Sequence, residues 1–194
     1  EAMQQRVKTL GERLASVCDR KDVVYTFATV KDDDVNAFSL PGGYIFIHEG
    51  LVKKTANDDE LAGVLAHEIA HVAARHAVKR YEAGLGLQIA QLATLVAGKS
   101  AAAARGLSVA AQASQLAYAR QDELEADQLA VKYVRQAGLD PKGILAFLTT
   151  LEEVDRAKSH YLPRGVVRPQ YARTHPFIPD RVRAVKEALY GVAD

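Results

Sequence analysis

The chain has 194 residues, 48% of them hydrophobic and 25% charged, with 25 Lys and Arg against 24 Asp and Glu. That length suits one globular domain with a sizeable core. The near-neutral balance, with no basic block, excludes the general electrostatic attraction used by nucleic-acid and anionic-membrane binders. The single cysteine, Cys18, excludes an intrachain disulfide and a cysteine-based zinc site, and its place on the apolar face of a first helix reads as simple burial.

Met3, Val7, Leu10, Leu14 and Val17 recur at helical spacing and predict an amphipathic helix over residues 3–17. The period then changes. Val23 to Val30, Val35 to Leu40 and Tyr44 to His48 are rich in β-branched and aromatic residues, separated by Lys31-Asp32-Asp33-Asp34 and Pro41-Gly42-Gly43. They predict three short strands in an antiparallel meander. Asn57 with Glu60 three residues on forms a capping-box signature, opening a helix to about Arg80.

From Leu85 to about Tyr118 the chain is Ala- and Leu-rich, and its apolar run is too short to span a bilayer. Two helices, or a helix and a hairpin, fit it. A further helix is predicted from Arg120 to Ala137, with Gly138 at its C-cap, and another from Asp140-Pro141 to about Ala157. Residues 158–179 carry four prolines and read as an irregular loop before a last helix over 180–190. No repeat of 20–50 residues recurs, which excludes a solenoid. The elements imply a compact α+β domain spanning residues 1–194, with a small antiparallel sheet above a central helix.

The chemistry concentrates at His67-Glu68-Ile69-Ala70-His71. Histidines four apart share a helix face, so both imidazoles reach one cation, and zinc is the expected metal for a nitrogen and oxygen site. Glu68 falls beside the metal, where it can take a proton from the attacking water. Leu61, Val64, Leu65, Ile69 and Val72 make this helix apolar, and burying two imidazoles and a carboxylate without partners would be costly. A hydrolytic site needs a third protein ligand. In the acidic stretch 120–127, Glu123 and Asp127 share a face, so one can ligate while the other receives the second N–H of a ligand histidine; Glu125 falls elsewhere and reads as solvated.

These residues resemble peptidase family M48, the zinc metallopeptidases that include Ste24-, HtpX- and Oma-type enzymes. The resemblance rests on four ordered segments: residues 36–43, residues 67–71, residues 120–127, and His175-Pro176 followed by Arg181. It implies a mainly helical zincin-like fold of the gluzincin type, with one Zn2+ on His67, His71 and Glu123, and Asp127 supporting a ligand histidine. It implies that Asn36, Ala37 and Phe38 form an edge strand on which a polypeptide substrate lies as an added strand. His175 and Arg181 match residues near the metal, as oxyanion partners, or, for His175, as a fourth ligand that displaces water. His48, His76 and His160 have no matching role and read as structural or solvent-exposed, His76 lying off the ligand face.

The family's long membrane helices are absent from this sequence, which implies a soluble or peripherally attached branch. Residues 85–118 stand where relatives carry a lid or a membrane-facing insertion, and a plain packed hairpin suits them equally. The chain starts at Glu1 rather than Met, which suggests a trimmed or mature form and leaves room for a removed signal peptide or lipid anchor. With the soluble relatives, this sets the expectation of a bacterial periplasmic or envelope location. The expected activity is zinc-dependent cleavage of peptide bonds in unfolded or envelope proteins. Its rivals are a latent or chaperone-like peptide binder and a zinc amidase acting on cell-wall peptides.

Overall fold

The computed structural model describes residues 1–96, 101–161 and 174–191, and within them no side chains of residues 94–96, 101–118 or 154–161. The elements run α1 (Ala2–Ala15), β1 (Thr26–Val30), β2 (Ala37–Leu40), β3 (Tyr44–His48), α2 (Glu49–Lys54), α3 (Asp58–Ala73), α4 (His76–Val96), α5 (Ala101–Gln136), α6 (Lys142–Tyr161) and α7 (Ile178–Tyr190). The prediction of an α+β fold dominated by helices holds.

At the centre lies α3, buried at every position from Glu60 to Val72. A helix buried all round needs neighbours on every side, and α1, α5, α6 and β2 supply them. Its start is capped by the two expected residues, with one shift: Asn57 Oδ1 accepts from the Glu60 N–H at 2.9 Å, while Glu60 Oε2 accepts at 2.9 Å from the N–H of Ala56, one residue before the cap, rather than from that of Asn57. The close approach of α6 is set by Gly63, where an added Cβ would stand 2.8 Å from Ile144 Cγ1. Val7, Leu10 and Leu14 bury the predicted face of α1, and Cys18 is buried as expected.

The sheet departs from the predicted meander. Its order is β1-β3-β2, with β1 parallel to β3 and only β2 antiparallel. The Pro41-Gly42-Gly43 turn, with φ of 95° and 93° at its glycines, specifies the β2–β3 hairpin locally. The β1–β3 pairing is long-range, and alternation of side chains does not encode strand direction. As a result β2 is an edge. The His48 N–H donates to Asn36 O at 3.0 Å, and the register pairs Phe38 with Phe46. Antiparallel pairs alternate in hydrogen bonding, so the N–H and C=O of Ala37 and Ser39 point away from the sheet.

Three other differences concern helices. Helix α2 was not anticipated. The helix expected to reach Arg80 stops at Ala73, and Arg75 takes a left-handed conformation with φ 59° before α4 begins. The predicted 120–137 helix is the C-terminal part of the longer α5, and α4 packs against α5. Tyr81, Leu85, Ile89 and Leu92 of α4 are exposed along one stripe. Within the loop predicted over 158–179, residues 162–173 lie outside the described residues, as does the side chain of His160. Among the described residues, no helix is long and apolar enough to cross a membrane.

Candidate metal centre

Three pieces of chain bring the site together. Helix α3 presents His67, Glu68 and His71, α5 presents Glu123 and Asp127, and the segment entering α7 presents His175 and Arg181; all seven are buried. The last segment turns sharply at Phe177, which is left-handed with φ 67°, and Pro179 occupies the first turn of α7. Arg120 pairs with Asp180 at 2.9 Å and lies over the Phe177 ring at 5.9 Å, fastening this turn to α5.

Nε2 of His67 stands 3.0 Å from Nε2 of His71 and 3.3 Å from Glu123 Oε2, while His71 Nε2 is 3.4 Å from Glu123 Oε1. His175 joins them, with Nδ1 at 3.3 Å from His67 Nε2 and 3.2 Å from Glu123 Oε2. These four residues each offer one donor atom, and the donors all lie within 4.8 Å of one another. Four ligands bonded tetrahedrally at zinc distances stand about 3.4 Å apart, so the residues present fit such an ion.

Support lies behind the donors. Asp127 Oδ1 is 2.8 Å from His67 Nδ1, and the same carboxylate accepts from Arg181 Nε at 2.7 Å and Nη2 at 2.8 Å. The partner of His67 is thus a carboxylate that Arg181 holds in place. Burial acts against ionising Asp127, but Arg181 and His67 together outweigh it and bring the pKa down to about 2. Burial likewise opposes the charge on Glu123, yet His175, His67 and His71 around it hold its pKa well below the usual carboxylate range. For His71, burial pushes the pKa well below the ordinary imidazole value.

Both carboxylate oxygens of Glu68 are buried and make no hydrogen bond among the described residues, although His175 Nε2 stands 3.3 Å from Oε1. A buried carboxylate with unfilled acceptor capacity suits a group whose task is to take a proton. Arg181, expected as an oxyanion partner, commits Nε and Nη2 to Asp127 and places Nη1 3.3 Å from Glu123 Oε2.

The edge-strand residues divide. Asn36 is buried, its Oδ1 accepting from Thr174 Oγ1 at 3.3 Å, and Phe38 stacks on Phe46 at 5.1 Å. Of the three residues expected there, Ala37 is the one whose N–H and C=O point away from β3, although the residue is fully buried; Ser39, which the sequence reading passed over, is the next such position and is half-buried. Beside this strand lies a cavity of about 100 Å³ bordered by Ser39, Leu40, His71 and Arg75.

Two histidines read as structural or exposed are both buried. His48 sits 3.7 Å from Asp32. His76 is fully buried with Nδ1 2.8 Å from His71 Nδ1, and burial pushes its pKa down. On a continuous helix, a residue five places on would face away; the left-handed turn at Arg75 brings it back. Glu125 is exposed as expected, yet its Oε2 reaches to 3.4 Å from His76 Nε2.

Residues 1–189 match Peptidase family M48. The chain is 31% identical over 189 residues to the β-barrel assembly-enhancing protease of Yersinia pestis, covering 92% of this chain and 37% of that protein. It is 30% identical over 191 residues to the mitochondrial metalloendopeptidase OMA1 of Schizosaccharomyces pombe, covering 94% and 52%. With the metalloprotease LoiP of Escherichia coli K12 it shares 27% identity over 183 residues, covering 87% and 69%. The chain therefore spans well under half the length of the assembly-enhancing proteases it matches. By its extent of match and its cluster of donors, the chain belongs to peptidase family M48, a family of metallopeptidases.

Proposed function

We propose that this chain is a zinc-dependent metalloendopeptidase in which His67, His71 and Glu123 hold the ion and Glu68 is the general base. The observation that carries this reading is the meeting of three buried donors with a buried carboxylate that makes no hydrogen bond among the described residues. Zinc, when bound, supplies a Lewis acid that polarises the scissile carbonyl and acidifies a water molecule. Glu68 takes a proton from that water and returns it to the leaving amine. The substrate backbone adds a strand along β2 at Ser39, next to the buried Ala37, a mode that gives affinity with little sequence preference. The cavity beside His71 accepts one substrate side chain.

A second reading concerns control. His175 offers Nδ1 to the donor group while its Nε2 faces Glu68, so one ring fills the fourth ligand position and covers the base. This arrangement supports a latent form in which His175 must withdraw before cleavage. We further propose that the substrates are unfolded or envelope proteins and that the setting is the bacterial periplasm or envelope, with peripheral membrane association and no nucleic-acid partner. The bacterial relatives named as β-barrel assembly-enhancing proteases support the compartment.

Cleavage of casein by zinc-loaded protein, with and without chelator, tests both readings. The Glu68→Gln variant is expected to keep one zinc per chain and lose activity by about 10²–10⁴-fold; cleavage at the wild-type rate sinks the mechanism. His175→Ala raises activity if the ring is a latch and lowers it if the ring steadies the oxyanion.

A further inference from the structure

His76 lies outside the donor group yet touches it. Its ring is wholly buried, and each nitrogen has a defined neighbour: Nδ1 faces His71 Nδ1 at 2.8 Å, and Nε2 faces Glu125 Oε2 at 3.4 Å and Asp122 Oδ1 at 3.6 Å. Asp122 is itself paired with Arg80 Nε at 2.9 Å. The neighbours fix where the protons sit. Carboxylates accept, so His76 Nε2 carries a hydrogen; His76 Nδ1 is then the acceptor, and the hydrogen between the rings belongs to His71 Nδ1. That leaves the lone pair of His71 Nε2 directed into the donor group. Arg75 supports the arrangement from the backbone, because a non-glycine residue at φ 59° costs about 1 kcal/mol or more and is retained here where it turns His76 onto His71.

We propose that His76 is a positioning residue for the metal: it accepts the Nδ1–H of His71, is anchored by Glu125 and Asp122, and so fixes the tautomer and ring orientation in which His71 binds the ion. The two ligand histidines are thereby backed differently. His67 rests directly on Asp127, whereas His71 rests on a carboxylate through an intervening imidazole. The proposal rests on the metallopeptidase reading, since without an ion His71 has nothing to be oriented toward.

The test measures zinc affinity by chelator competition, and the visible spectrum of the Co2+-loaded protein, for wild type, His76→Phe and His76→Asn. Phe fills the space without an acceptor, while Asn places an amide oxygen near the position of Nδ1. The expected result is a 10–100-fold loss of affinity and an altered Co2+ spectrum in H76F, as for other groups that orient metal ligands, with H76N within about threefold of wild type. Equal losses in both variants, or no loss in H76F, would overturn it. If H76F does not fold, judged by circular dichroism of the metal-free protein, the Glu125→Ala, Asp122→Ala double variant, which removes both acceptors from His76 Nε2, decides: a several-fold loss supports the proposal and unchanged affinity overturns it. Wild-type protein that binds no zinc would instead remove the metallopeptidase reading.

Discussion

Asp127 and Arg181 are each only 1% exposed, and the pair is joined by two hydrogen bonds of 2.7 and 2.8 Å. Removing one partner of a buried pair leaves an uncompensated charge, at a cost of about 3–5 kcal/mol. Asp127→Asn keeps the shape and removes the charge, so urea unfolding of the metal-free variant at neutral pH should show a loss of that order; a change under about 1 kcal/mol would mean that Glu123, 3.3 Å from Arg181 Nη1, compensates the charge. The same carboxylate makes a prediction for acid. Its pKa is lowered from 3.8 to about 2 on folding, so its contribution is complete above about pH 4 and lost as pH falls toward 2. That contribution is about 2 kcal/mol, and the acid limb of the stability curve should shrink in the Asn variant. At this scale the sequence was readable wherever helical spacing set the answer, as for His67 with His71 and Glu123 with Asp127. It was unreadable at His76, because Arg75 gives no sign that it adopts a conformation usually left to glycine.

Helix α3 depends on how near α6 can come, and Gly63 sets that distance. A Cβ there would meet Ile144 Cγ1 at 2.8 Å and Ile144 Cα at 3.0 Å, and the second atom is backbone that cannot rotate away. Alanine in a helix interior gains about 1 kcal/mol over glycine, while overpacking costs about 1–3 kcal/mol. Overpacking should win, so Gly63→Ala lowers the unfolding free energy by about 1 kcal/mol. Among the described residues nothing lies within 4 Å of a Cβ added at Gly86 of α4, so Gly86→Ala should gain about 1 kcal/mol. Urea titrations of the two variants should therefore move in opposite directions, and a stabilised Gly63→Ala would refute the packing argument. The elements themselves were legible where a local signal marked them: the Asn57 cap, the glycine turn at 42–43, the apolar face of α1. The parallel pairing of β1 with β3 joins strands across an intervening one, and nothing local records it.

The four donors come from residues far apart in the chain: His175 lies 108 positions from His67 and 52 from Glu123. An ion held by them ties α3, α5 and the start of α7 into one unit that the unfolded chain lacks. Binding to the native state alone stabilises by about 4 kcal/mol at a free zinc concentration a thousand times Kd, and each kcal/mol moves Tm by about 2–4 °C in a protein of this size. Saturating zinc should therefore raise Tm by about 10 °C over the chelated protein, as read by calorimetry. Glu68→Gln should show the same rise, because Glu68 is not among the donors. His67→Ala should show almost none. His175→Ala separates the two roles of that ring: a smaller rise than wild type means that His175 binds the ion in the resting protein, and an undiminished rise excludes it as the fourth ligand. A smaller rise together with faster casein cleavage would mean that the ligand that tightens the resting protein is also the one that must leave before it can work.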